Sequence, residues 1–224
     1  MGSKYEFTGK ITKYDGHTLH QIKRIEDGKV GGWIEKERNL SQWGECWVDD
    51  EAKVYDKAEV RDNAKIYGTA HICDEAKVYG NAQVYGDASI SSEARVYGNA
   101  KVYDDAIVCG AAEIYGNAQV YEQVEVFYHT KIYDEAKVYG NAKVCGWAQV
   151  SGNAQVYGKS IVYGDAEVSN NARVYGNAEV FDNAQVYDDA QVCGCIKVSG
   201  EAKICGNIKV CEEDDLTNCL WKAI

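Results

Sequence analysis

The chain has 224 residues, with 24 Lys plus Arg against 35 Asp plus Glu, a formal net charge of -11, four histidines, nine cysteines and no proline. No apolar run approaches the ~20 residues of a membrane-spanning helix, and Met1-Gly2-Ser3-Lys4 opens no signal-peptide hydrophobic stretch, so a soluble, cytoplasmic, single-domain protein with no membrane partner is predicted. The acidity argues against non-specific binding of nucleic acid or anionic lipid, and an odd cysteine count without a Cys-x-x-Cys pair or a zinc-like Cys/His spacing predicts reduced thiols and no metal site or cofactor.

Residues 1–47 show no repeat and are nearly neutral, with 8 Lys plus Arg against 7 Asp plus Glu. Their apolar residues, among them Tyr5, Phe7, Ile11, Leu19, Ile22, Trp33, Ile34, Leu40 and Trp43, predict a small strand-rich cap. Within it, Gly31-Gly32-Trp33-Ile34 and Leu40-Ser41-Gln42-Trp43 are expected to lead into the repeats that begin at Val48. A cap is needed because a repeat stack exposes strand edges and apolar residues at its ends.

From Val48 to Val210 a Val or Ile stands at every sixth position, 28 in all, with no insertion or deletion. The unit reads Ala-x-Val-Tyr-Gly-Asn, as in Ala172-Arg173-Val174-Tyr175-Gly176-Asn177. Ala and Val are separated by one outward residue, which is strand alternation, and the Gly, Asn or Asp after them tolerate positive φ and turn the chain. A strand this short with a corner every six residues winds a coil whose strands pair with those of the next coil, so residues 48–211 are predicted to be a β-solenoid. The missing prolines agree, since a parallel ladder uses most backbone N–H groups. Val124, Thr130, Ser160, Ile196 and Ile208 depart from Ala at the small inward position. Val124 and Thr130, beside Phe127, Tyr128 and His129, mark the most irregular coil, read first as a local widening and second as a functional spot.

This run resembles the hexapeptide repeat of the left-handed parallel β-helix, in which an aliphatic residue is followed four positions later by a small one, as Val84 is by Ala88. Tyr after the aliphatic, where that family often has Gly, is a departure. The resemblance implies an all-β fold: a single-stranded, triangular, left-handed parallel β-helix of 18 residues per coil and a little over nine coils. Many members are acyltransferases that use acyl-coenzyme A and a catalytic His, often beside a loop projecting from a coil, and trimers are frequent. Here the hexads never break to make such a loop. His17 and His20 lie in the cap, His71 on a strand and His129 at a corner, and no second group to orient any of them can be assigned, so no catalytic residue is expected. The metal-dependent carbonic anhydrases of this fold need three histidines, and the repeat has two. The lead-in Gly31 to Asp49 is similar to that of uncharacterised bacterial and phage-encoded hexapeptide-repeat proteins.

After Val210, Glu212-Glu213-Asp214-Asp215 suits a helix N-terminus, and Leu216, Cys219, Leu220, Ala223 and Ile224 come after it at helical spacing. A short helix over 212–224 is predicted to close that end.

An 18-residue register sorts the outward residues into columns. Tyr67, Tyr85, Tyr103, Tyr121, Tyr139, Tyr157 and Tyr175 form one unbroken column, continued by Cys193 and Cys211, the pair of cysteines expected to come close. Beside it run Lys65, Gln83, Lys101, Gln119, Lys137, Gln155, Arg173, Gln191 and Lys209, a column without an acid in which cation and amide alternate. Tyr79, Tyr97, Tyr115 and Tyr133 make a shorter column. The seven tyrosines with Lys65, Lys101, Lys137 and Arg173 are the candidate binding face, because Tyr and Arg are favoured at interfaces. Such columns also serve packing alone, since stacked rings cover a sheet and amides separate like charges. Residues 48–224 carry 16 Lys plus Arg against 28 Asp plus Glu, mostly at corners. The expected function is a non-catalytic scaffold for a protein partner or for self-association into a dimer or trimer. A phage-encoded inhibitor that mimics nucleic acid inside a bacterial host is a specific version of it. Acyl transfer from acyl-coenzyme A is the enzymatic alternative.

Overall fold

The computed structural model describes residues 2–212. The helix expected over 212–224 therefore lies, but for Glu212, outside the described residues.

One hexad explains the coil. In Ala100 to Asp105, Lys101–Val102 is the strand, Ala100 and Val102 point inward, and the backbone turns at Asp104, whose φ is 57°. Lys101 N–H donates to Ala118 C=O at 2.9 Å and Tyr103 N–H to Val120 C=O at 3.0 Å, one coil further on. Strand pairing is parallel and offset by 18 residues, as in Gln83 against Lys101 and Val84 against Val102. Three hexads therefore close one coil, and three parallel sheets run along the molecule. The tyrosine face has ten strands, from Trp47–Val48 to Lys209–Val210; the hairpin face has twelve, including three from the N-terminal segment; the third face has nine, from Glu59–Val60 to Lys203–Ile204. At ~4.8 Å per coil the stack is roughly 45 Å long.

The predicted core is present throughout. Each Val or Ile of the six-residue period is 1% exposed or less, and the Ala positions from Ala52 to Ala190 are fully buried. Each aliphatic side chain buried this way contributes roughly 1.5–3 kcal/mol against chain entropy. Thr130 and Ser160 sit in Ala positions without an orphaned hydroxyl, donating at 2.9 Å to Phe127 C=O and Tyr157 C=O. The widening expected near Val124 and Thr130 takes no extra residue, because Glu125–Val126 stays in register with Ile107–Val108 and with Lys143–Val144.

The corners are where sequence freedom is narrowest. Asp50, Asp62, Asp74, Asp104, Asp134, Asp182 and Asp188 all stand at φ between 51° and 61°. Each accepts, through its carboxylate, the backbone N–H of the equivalent residue one coil on, at 2.8–3.3 Å. The acids noted in the sequence at corners therefore satisfy turn amides that would otherwise face only water. Next to them Asn63, Asn81, Asn99 and Asn117 form an amide ladder with bonds of 2.9–3.1 Å. Tyr128 holds the same left-handed conformation, φ 66°, with its ring 63% exposed. A bulky residue there costs about 1 kcal/mol that Asn largely avoids. Tyr128→Asn is therefore expected to raise the thermal midpoint slightly; a lower midpoint by calorimetry would show that the edge contact of its ring with Phe127, centroids 5.7 Å apart, outweighs the strain.

The N-terminal segment begins the stack as well as covering it. β1 (Tyr5–Tyr14) and β2 (His17–Arg24) form an antiparallel hairpin, and β3 (Val30–Ile34) pairs antiparallel with β2 but parallel with Lys53–Val54. Leu40 bridges Val60, also parallel. Ile34, Leu40 and Val48 thus fill the three inward positions of a first coil, all fully buried. Their spacing is six and then eight residues, which is why the hexad cannot be read before Val48. Gly31 is required at this junction: a Cβ would lie 2.6 Å from both Trp47 Cζ2 and the Val48 carbonyl oxygen. Tyr5, 3% exposed, donates its hydroxyl at 3.0 Å to Glu37 C=O and Leu40 C=O, tying the hairpin to the coil.

Candidate interaction face

Parallel strands in unbroken 18-residue register superimpose identical side chains, and on the tyrosine face this produces a continuous stack. From Tyr67 to Tyr175 the six successive ring pairs have centroids 4.7–5.1 Å apart and planes within 4° of parallel. Each ring is half-buried, its faces covered by neighbours and its edge and hydroxyl outward. Tyr79, Tyr97, Tyr115 and Tyr133 stack likewise on the third face, at 4.9–5.0 Å. On the hairpin face Tyr163 stacks on Phe181, at 4.8 Å.

The alternation of cation and amide has a structural counterpart. Tyr67, Tyr139 and Tyr175 donate their hydroxyls to the side-chain oxygens of Gln83, Gln155 and Gln191 at 3.3–3.4 Å. The intervening positions hold Lys101, Lys137 and Arg173, so every second step of the ladder carries an amide and every other one presents a cation. Among the described residues, no ion pair within 4.0 Å involves Lys65, Lys101, Lys137, Arg173 or Lys209. On the other two faces, Lys143 pairs with Glu125 at 2.9 Å, Lys197 with Glu179 at 3.1 Å and Arg95 with Glu113 at 3.9 Å across coils.

Burial raises the hydroxyl pKa of Tyr67, Tyr85, Tyr103, Tyr121, Tyr139 and Tyr157, that of Tyr103 to about 12, with neighbouring tyrosines adding to the effect at several positions. The stack is therefore uncharged across the physiological range. Because the folded pKa lies above the unfolded value of 10, this contribution to stability is whole below about pH 10 and is lost as pH rises toward 12. Absorbance at 295 nm is expected to show tyrosines ionising late and together with loss of the β signal. Ionisation at the ordinary pH with the fold intact would contradict it.

The remaining candidates are dispersed. His129 lies flat on Trp147, ring centroids 4.0 Å apart and planes 10° from parallel, at a corner beside Lys131, Asp165 and Glu167. His71 is stacked on Tyr14 at 4.7 Å, and His20 lies on Phe7 at 4.9 Å. His17 reaches Glu35 and Asp56, and His17, Glu35 and Asp56 are the one group of three metal-ligating side chains that converges among the described residues. Sequence spacing gave no sign of it, because the three residues come from the hairpin, from the end of β3 and from a corner one coil on. Cys193 and Cys211 come together as expected, with Cα atoms 4.5 Å apart on adjacent coils. No helix of the described residues is long and apolar enough to cross a membrane.

Residues 94–110 and 148–164 match the family described as YdcK Beta solenoid repeat. Each stretch begins at an inward alanine, Ala94 or Ala148, and spans about one coil, and the two starts are three coils apart. Fold and match agree that the chain is a β-solenoid repeat protein, similar to that family over these coils. No curated protein matches it.

Proposed function

We propose that the solenoid is a rigid, non-catalytic scaffold whose tyrosine face binds an acidic protein surface. The observation that supports this is the row of cations without carboxylate partners set between tyrosine hydroxyls, on a flat face that carries no acid in its central column. Tyr and Arg with little conformational freedom are the residue types that dominate interface energetics, and regularly spaced unpaired charge selects an oppositely charged partner and speeds its approach. A second copy is one such partner, since the chain is acidic away from this face, and dimers or trimers would form through it. Nucleic acid, itself an anion, is disfavoured by the net charge of -11.

The test places a photo-crosslinking residue at position 119 on the tyrosine face or at position 149 on the third face, in the native host cytoplasm. A protein crosslinked from 119 and not from 149, and lost in Lys101→Glu/Lys137→Glu/Arg173→Glu, supports the reading. Equal yields from both positions, or none, would sink it. Light scattering over a concentration series distinguishes a second copy from a foreign partner.

The more specific idea of a phage-encoded inhibitor mimicking nucleic acid draws on the corner carboxylates. Seven of these accept turn amides and are held in regular rows, which suits a row of negative charge as well as it suits folding. Salt-sensitive binding to a basic protein in competition with DNA would favour it. The acyl-transfer alternative attaches to His129 and calls for thermal stabilisation by acetyl-coenzyme A that disappears in His129→Ala.

A further inference from the structure

The structure assigns a divalent-cation site, of the kind zinc occupies, to His17, Glu35 and Asp56, where the hairpin meets the first full coil. Three separate segments supply it: His17 opens β2, Glu35 follows β3, and Asp56 is the corner residue after Lys53–Val54. His17 Nδ1 lies 3.4 Å from Glu35 Oε2 and His17 Nε2 lies 3.6 Å from Asp56 Oδ1. One donor atom from each residue can be chosen so that all three lie within 4.8 Å of one another. A zinc ion bound at about 2.0–2.2 Å to nitrogen and oxygen spans such a group after a small closure. All three side chains are partly buried, so the site is neither open surface nor sealed core.

Two further features point to a ligand rather than to chance proximity. Asp56 occupies the corner position at which seven other aspartates accept the N–H of the next coil, and it has the same left-handed φ of 56°. Among the described residues it makes no such bond, and its carboxylate lies beside His17 instead. Glu35, meanwhile, is held in place from both sides: Oε2 accepts the backbone N–H of Asp56 at 2.7 Å and Oε1 meets Lys36 Nζ at 2.6 Å. His17 is also packed against Tyr55, ring centroids 4.9 Å apart, which limits where its nitrogens can point. The Asp56 amide and the Tyr55 ring fix ligands as supporting groups of a metal site do, whereas Lys36 competes with an ion for Glu35 Oε1.

The chemistry selects the class of ion. Two carboxylates balance a divalent charge, and one imidazole favours zinc over magnesium or calcium, which prefer oxygen alone. Three protein ligands leave a fourth position for water, and the ion would fasten the hairpin to the solenoid.

The test is titration of the EDTA-dialysed full chain with zinc chloride, followed by calorimetry and thermal unfolding. One equivalent is expected to bind and to raise the unfolding midpoint. His17→Gln and Glu35→Gln should each weaken binding by about tenfold or more. Lys36→Met, which removes the ammonium competing for Glu35, should tighten it, an effect a purely structural role for these residues does not produce. A chain that binds no zinc, that binds equally well as His17→Gln, that is weakened by Lys36→Met, or that prefers magnesium would overturn the assignment.

Discussion

Val120→Asp is expected to abolish cooperative unfolding of the whole stack and to cost about 4 kcal/mol or more, the range reached when a charge is buried without a partner. Val120 is fully buried and sits between Val102 and Val138 in adjacent coils. No water or counter-charge can follow the carboxylate inward, because all three faces of the coil are closed by sheets and the positions above and below it are Val102 and Val138. Gln119→Glu, one residue away but outward between Lys101 and Lys137, should change stability by no more than about 0.5 kcal/mol. The contrast isolates direction of side chain from position in the chain. Since each coil touches only its neighbours, the inward charge should split one melt into two, for the coils on either side. Differential scanning calorimetry reads this directly, and a single transition at an unchanged temperature in Val120→Asp would refute the closed core.

The second large effect concerns the stack of rings. Replacing Tyr103, Tyr121 and Tyr139 by Ser removes four of the six ring pairs on the tyrosine face. At about 0.5–1.5 kcal/mol per pair the loss is on the order of 2–6 kcal/mol, so the thermal midpoint should fall while the far-UV spectrum keeps its shape. Capture of the partner should vanish at temperatures well below the new midpoint. Charge reversal at Lys101, Lys137 and Arg173 leaves the rings in place and should remove capture with little change in melting. Together the two variants separate a face that binds from a face that only packs. If both retain capture, the tyrosines serve the fold alone.

The fold was largely legible because its rules are local. Six-residue spacing of Val and Ile names inward positions, 18-residue spacing names columns, and both survive translation into coordinates from Val48 onward. The Tyr67 to Tyr175 column could be read for the same reason: parallel register without insertions makes sequence separation equivalent to height. What the sequence concealed depends on irregular geometry. Ile34 and Leu40 belong to the first coil, but eight residues rather than six separate Leu40 from Val48, so the period disappears where the stack begins. The convergence of His17, Glu35 and Asp56 needs the hairpin to fold back on the corner after Val54, which no spacing encodes. The corner aspartates were visible as negative charge; that seven of them hold the amide of the next coil appears only once the left-handed backbone is seen.

The alternation of Gln with Lys or Arg beside the tyrosines also bears on how such a protein can change length over generations. Duplicating 18 residues inserts one coil and preserves the core, but it places like beside like in that column, Lys on Lys or Gln on Gln. Duplicating 36 residues keeps both the core and the sequence of amide and cation. Growth or shrinkage by unequal recombination is therefore tolerated by the interior in single coils and by the tyrosine face in pairs. Among natural length variants, those differing by an even number of coils should keep the face, and those differing by an odd number should bear a seam.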